Sequence, residues 1–330
     1  LRFPFNLWDY EITRHGAFHE FTPASAGQPQ PLVSVLVRTM AGRAGKLAEA
    51  LASVAAQTYG PIELVIVEDG SGTAADTAAR WRDSGRFTGV QFRPLDKVGR
   101  CLAGNAAMEA ATGEYLCFLD DDDLFYADHL EVLVDALRAR PDLGGVYGLA
   151  YEVRTEVISA EPWVYKDMAH NLMYRQPFSR GLMWHHNYLP IQTVLFRRSL
   201  YEQYGGLDAE LDNLEDWNLW VRYTLRHDFA MVDKVTSLYR VPARPDHAGQ
   251  RQQVLDDYYA KAVAKHSALK VEVNPNQVLQ MAQEIARDLY VVRVERRTLR
   301  NWALSLPLLG RFYHPLRRAG ALLRKIAQRI

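Results

Sequence analysis

Four consecutive aspartates, Asp120 to Asp123, follow the apolar run "GEYLCFL" and precede a helical pattern. Two unit charges about 4 Å apart repel by roughly 1 kcal/mol in water and about 4 kcal/mol at an effective dielectric of 20. Such a run is either splayed into solvent or neutralised by something the chain does not carry. Hard carboxylate oxygens suit Mg²⁺ or Mn²⁺, and Mg²⁺ takes only one or two carboxylates while keeping waters. A divalent ion bridging a diphosphate therefore accounts for four acids better than a helix cap does. One or two of them could still cap the helix expected to begin near Tyr126. Two further acidic stretches stand out. "VEDGS" (67–71) has ordinary turn chemistry, and "LEDWNLW" places Glu215 and Asp216 in the first turn of a helical pattern. A carboxylate so placed can take a proton from a hydroxyl nucleophile.

These acids need elements to hold them. "LVSVLV" (32–37), "IELVIV" (62–67), "GVQFRP" (89–94) and "EYLCFL" (114–119) read as strands. Helical patterns separate them, and "ADHLEVLVDALRAR" (127–140) follows the last. Alternation at this spacing predicts a parallel, Rossmann-like α/β sheet with helices on both faces. Ligands in such sheets bind beyond the carboxyl ends of the strands, where both "VEDGS" and the aspartate run fall. After 150 the pattern loosens. A strand, a short helix and a Gly-Gly turn are expected over "NYLPIQTVLFRRSLYEQYGGLDAEL", a helix over 213–227 and a strand over "FAMVDKVTSLYRV". The region 151–214 reads as irregular and is expected to set specificity.

Composition narrows the function classes. The formal net charge of the 330 residues is zero, so nothing global argues for nucleic acid. The balance is uneven, because 291–330 holds ten Lys or Arg against Glu295 alone. Cys101 and Cys117 cannot form a disulfide framework and read as reduced thiols, which points to a cytoplasmic setting. No run of eighteen apolar residues exists, and the opening "LRFPFNLWDYEITRHGAF" is not built like a secretory signal.

"PLVSVLVRT", "ALASVAAQTYGPIELVIVEDGS", "GNAAMEAATGEYLCFLDDDD" and "LEDWNLWVRY" occur in that order. Together they resemble the successive signatures of family 2 inverting glycosyltransferases with the GT-A fold, over roughly residues 31–242. The resemblance implies a metal-dependent transfer of a sugar from a nucleoside-diphosphate sugar, UDP first among the bases, to a hydroxyl of a glycan or lipid-linked acceptor. The implied setting is bacterial surface-polysaccharide synthesis at the inner face of the cytoplasmic membrane. It implies Asp122 as metal ligand with Asp120 beside it near the ribose, and Asp121 and Asp123 in support. Asp69 and Thr39 would meet the nucleotide base. Asp216 would be the base of the reaction, with Glu215 orienting it. Two positions depart from the pattern: Arg38 replaces a proline, and Gly104 stands where an arginine often precedes Asn105. Arg38 or Arg100 would then supply the diphosphate contact. His247 sits where a side chain sometimes reaches diphosphate or metal. His185 and His186 fit surface or packing roles better than acceptor contacts. Trp217 and Trp220 fit core packing and a sugar-stacking wall equally.

The expected organisation is an extension over 1–30, a transferase domain over 31–245 divided at 150 into nucleotide-sugar and acceptor halves, and a helical basic region over 246–330. Within the last, 299–330 combines arginines with Trp302, Phe312 and Tyr313, a composition suited to an anionic membrane surface. Two rivals come from other classes. A nucleotidyltransferase would carry a Gly-rich basic loop after the first strand, of which "RTMAGRAGK" is a faint version. A non-catalytic glycan- or nucleotide-binding module would not need both acidic sites intact.

Overall fold

The computed structural model describes residues 29–286. The basic segment 299–330 and the extension before residue 29 lie outside the described residues. Along the chain run β1 (Val33–Met40), α1 (Ala44–Ala55), β2 (Ile62–Asp69), α2 (Ala75–Asp83), β3 (Gly89–Leu95), α3 (Arg100–Ala110) and β4 (Tyr115–Asp120). The alternation in the sequence is thus realised. Apolar spacing of three and four puts Leu47, Ala50, Leu51 and Val54 of α1 on one buried face. That face packs against Val33, Val35 and Val37 of β1, and each such side chain contributes about 1.5–3 kcal/mol when fully buried.

Next come β5 (Leu124–Phe125), α4 (His129–Arg138), β6 (Gly145–Ser159), β7 (Val164–Leu172), α5 (Arg180–His185), β8 (Val194–Arg197), α6 (Arg198–Tyr204), α7 (Glu215–Thr224), β9 (Phe229–Pro242) and α8 (Pro245–Ser267). One sheet has the order β3-β2-β1-β4-β8-β6-β9-β5, with β7 paired to β6. The first four strands are parallel, as expected. Beyond them the sheet is mixed: β8 runs antiparallel to β4 and β6, and β9 runs parallel to β6. The division expected at 150 falls inside β6, so both halves share one sheet. The "irregular" region contains a long hairpin, β6–β7. Its signal was present in the alternation of buried Tyr151, Val153 and Thr155 with Glu152, Arg154 and Glu156.

The described chain divides into two compact units, one running to Val271 and one from Glu272. Helix α8 belongs to the first, because Tyr259 stacks on Trp217 with ring centroids 5.3 Å apart. The boundary expected at 245 thus lies later. In the second unit a mostly exposed helix covers 275–286. Among the described residues no helix is long and apolar enough to cross a membrane. Cys101 and Cys117 are buried free thiols.

Candidate active site

The chain places β2 and β3 on one side of β1 and β4 on the other, so a crevice opens at the carboxyl ends of β1 and β4. Register sets Arg38 directly opposite Asp120 across those strands. The Arg38 guanidinium grips Asp120 in two parallel bonds, Nε to Oδ1 at 2.7 Å and Nη2 to Oδ2 at 2.9 Å. Its Nη1 reaches Glu215 Oε1 at 3.2 Å. Burial opposes ionisation of Asp120, but Arg38 outweighs it and holds the carboxyl below the usual carboxylate range.

The other three aspartates also have partners. Asp121 is buried, and accepts from Thr39 Oγ1 at 2.7 Å and Arg43 Nη1 at 2.9 Å. Burial and the Asp122 charge still push it up to about 6 against the pull of Arg43. Asp122 meets Lys46 Nζ at 3.1 Å and Arg43 Nη1 at 3.7 Å, both through Oδ2. Asp123 is buried and accepts from the backbone N–H of Arg240 at 3.3 Å. Burial, with Asp122 and Asp120 nearby, holds its carboxyl well above the ordinary range. Two expectations are therefore corrected. The run is countered by cations the chain does carry, with Arg43 and Lys46 coming from the "RTMAGRAGK" stretch. None of the four caps the following helix, since β5 intervenes and the residue preceding α4 is Asp128.

Arg240, missed in the sequence, braces this loop from β9. Its Nη1 donates to the Asp122 carbonyl at 2.8 Å, and Nη2 to Tyr165 Oη at 2.9 Å and Glu49 Oε2 at 3.1 Å. Beside it opens a cavity of about 190 Å³ whose walls include Lys46, Asp122, Trp163, Arg240, Arg244 and His247. Asp122 is about a third exposed at that wall, and His247 more than half. Among the described residues no group of three or more His, Cys, Asp or Glu could hold a metal ion. The donor set suits a hard cation that takes one or two carboxylates and fills its shell from water and phosphate oxygens.

On the other side of β1, Asp69 ends β2 and accepts from the backbone N–H groups of Val98 and Gly99. Gly99 has φ +94°, a conformation open to glycine at little cost, and so lets its N–H meet the carboxylate. Thr39 is turned onto Asp121 rather than exposed. Arg100 opens α3, is half exposed, and stands 3.7 Å from Glu215 Oε1.

Glu215 and Asp216 begin α7, as expected, immediately after Leu214 in the left-handed region (φ 59°). A non-glycine residue there costs roughly 1–2 kcal/mol, which the surrounding packing must offset. Asp216 Oδ2 accepts from Asn187 Nδ2 at 2.9 Å, and Oδ1 from the Trp217 N–H at 2.8 Å. Desolvation and then the Glu215 charge raise the Asp216 carboxyl to about 7, against Asn187, Trp217 and Arg38. Asn187 carried no sequence signal; it lies in the "HHNYLP" loop and is joined to Asp216 only by the fold. Trp217 and Trp220 are both core residues. Their Nε1 groups donate to the Met183 and Leu189 carbonyls, at 2.6 and 3.0 Å. His186 packs on Tyr188, while His185 is exposed.

The description "Glycosyl transferase family 2" matches residues 34–205. Among curated relatives, the uncharacterised glycosyltransferase YwdF of Bacillus subtilis is 24% identical over 68% of this chain and 81% of its own length. An uncharacterised glycosyltransferase of Rickettsia typhi is 26% identical over 58% of each chain, and one of Rickettsia felis is matched over 31% of its length. The chain thus spans about three fifths or less of some curated relatives. Two solved structures share the fold. Staphylococcus aureus TarS 1-349 in complex with UDP-GlcNAc has TM-score 0.55, 15% identity, and covers 84% of this chain and 76% of its own. The mannosyltransferase PcManGT from Pyrobaculum calidifontis, in complex with GDP-Man and Mn²⁺, has TM-score 0.54, 21% identity, and covers 91% and 88%. The parallel β1–β4 core and flanking helices are those of the GT-A glycosyltransferases. Because the matched segment takes in more than half of the residues, from the first strand to the turn before α7, the chain belongs to glycosyl transferase family 2.

Proposed function

We propose that this protein is a metal-dependent inverting glycosyltransferase, moving a sugar from a nucleoside-diphosphate sugar to a hydroxyl of a glycan or lipid-linked acceptor. The observation that carries the reading is Asp216. Its carboxyl, raised to about 7 and fixed by Asn187, is poised to accept a proton near neutral pH. Asp216 takes the acceptor hydroxyl's proton as that oxygen attacks the anomeric carbon. The bond from that carbon to the diphosphate oxygen breaks with its electron pair leaving on the diphosphate, so one displacement inverts the centre. Lys46 and Arg244 around the cavity beside Asp122 give the departing diphosphate a cationic wall, with His247 lining the same cavity. Asp122, with Asp120 beside it, would hold the divalent cation, Mg²⁺ or Mn²⁺, which when bound supplies Lewis-acid stabilisation of the leaving group. The relatives' donors, UDP-GlcNAc and GDP-Man, and the Mn²⁺ of one of them support a nucleotide-sugar donor.

Incubation with a panel of sugar nucleotides and Mn²⁺ tests the reading. Release of nucleoside diphosphate, by transfer or slow hydrolysis, is expected. Pyrophosphate release from a nucleoside triphosphate would favour a nucleotidyltransferase, and binding without turnover a non-catalytic module. The basic segment 299–330 is assigned to an anionic membrane surface on its charge and aromatic content. Binding of the full chain to anionic vesicles should then weaken steeply with salt.

A further inference from the structure

We infer that Arg38 is a positioning residue that latches the aspartate run to the helix bearing Asp216, so that nucleotide binding on one side is felt at the base on the other. This rests on the proposed reading only in taking the aspartate run as the nucleotide-diphosphate side. Arg38 is 6% exposed, and each of its three side-chain nitrogens is engaged, two by Asp120 and one by Glu215. Those partners lie 82 and 177 positions away in the chain, on β4 and at the start of α7. Glu215 is joined by a peptide bond to Asp216 and follows the left-handed Leu214. The turn that aims the base is therefore held from outside by the buried Arg38 guanidinium, with the half-exposed Arg100 at 3.7 Å from the same Glu215 oxygen.

Helix α3 packs against the arginine stem. A Cβ on Gly104 would lie 3.5 Å from Arg38 Cδ, an ordinary contact, but 2.5 Å from Leu207 Cδ1, so the bare glycine makes room for that leucine beside the arginine. The stem is further fixed over the Phe118 ring, 5.4 Å from the guanidinium carbon to the centroid. A planar fork satisfies Asp120 and Glu215 together, as a lysine ammonium does not. Burial, together with three of its five N–H donors already engaged, makes Arg38 a poor direct ligand for diphosphate, which falls instead to the exposed Arg100 and the cationic cavity.

Hydrogen exchange on the full chain tests the latch. Without nucleotide, Arg38→Met should speed exchange of the 216–218 amides at least tenfold relative to those of β2. Unchanged exchange there would overturn the proposal. With Mn²⁺ and either UDP or GDP, the wild type should show slower exchange at 216–218. Arg38→Met should lose that response while binding the nucleotide within threefold of wild type, and Arg38→Lys should retain it in part. On a sugar nucleotide that the wild type turns over, kcat should fall 10–100-fold in Arg38→Met with little change in donor dissociation constant. A response that survives in Arg38→Met, or nucleotide affinity lost more than tenfold with 216–218 exchange unaltered, would make Arg38 an ordinary buried residue or a direct ligand. If neither nucleotide binds the wild type, the transferase reading fails, and the nucleotide-free exchange still decides the latch.

Discussion

The two acidic sites of this molecule solve the same electrostatic problem in opposite ways. At the carboxyl end of β4, Asp120 to Asp122 are met by Arg38, Arg43 and Lys46, and Arg240 braces the loop. At the start of α7, Glu215 takes the shared cation and Asp216 is left with neutral donors, Asn187 and a backbone N–H. In the first arrangement the Arg38 charge outweighs burial and holds Asp120 below the usual carboxylate range. The second raises one carboxyl to about 7, where it can accept a proton. The lesson is that counter-charge and desolvation, rather than the number of acids, divide binding from base chemistry.

That contrast can be broken most sharply at Asp216. Asp216→Asn keeps the shape and removes the base, so turnover should fall by roughly 10² to 10⁴ fold while nucleotide binding survives. In the wild type, kcat/KM should climb as pH rises through about 7, because the base works only when deprotonated, and then level off. Loss of donor affinity with intact turnover would move Asp216 into the binding site. The support beneath it should matter nearly as much. Trp220 is fully buried against Phe196, Tyr223 and Phe229, and Trp220→Ala should cost about 3–5 kcal/mol in urea unfolding. A cost below 1 kcal/mol would mean that the α7 anchor is not packing.

On the other side, Asp122→Asn should weaken Mn²⁺-dependent binding of UDP or GDP at least tenfold, read by calorimetry with and without metal. Its melting temperature should hold within about 2 °C, since relief of repulsion and loss of the Lys46 pair offset each other (1 kcal/mol corresponds to about 2–4 °C in a domain of this size). Metal-dependent binding at native affinity would remove Asp122 from the metal assignment. The smallest effect is expected at Lys46→Gln. The pair it breaks is 20–31% exposed, so chemical denaturation should register less than about 1 kcal/mol.

How much of this was legible depends on the range of the interaction. The β1–β4 core, α7 and the carboxylates at their ends follow from periodicity and from residues adjacent in sequence. Strands over β8 and β9 were legible as well, but their directions and neighbours were not, because those are set by pairing with strands distant in the chain. The two tryptophans of α7 were undecided by spacing alone. Carbonyls at Met183 and Leu189, more than thirty positions earlier, settle them in the core.

The sequence by itself determined which residues are acids, where strands end, and that Glu215 and Asp216 open a helix, because these rest on local periodicity and turn chemistry. Only the tertiary structure decided which acid is ionised and which holds its proton near neutral pH. Protonation depends on burial and on the nearest charges; some are adjacent, as Glu215 is to Asp216, but the countering cations come from positions tens to hundreds of residues away. Arg38 shows the reason most directly. Its type is read from one letter, but its partners are set by strand register with Asp120 and by the packing that brings α7 and Glu215 across the crevice.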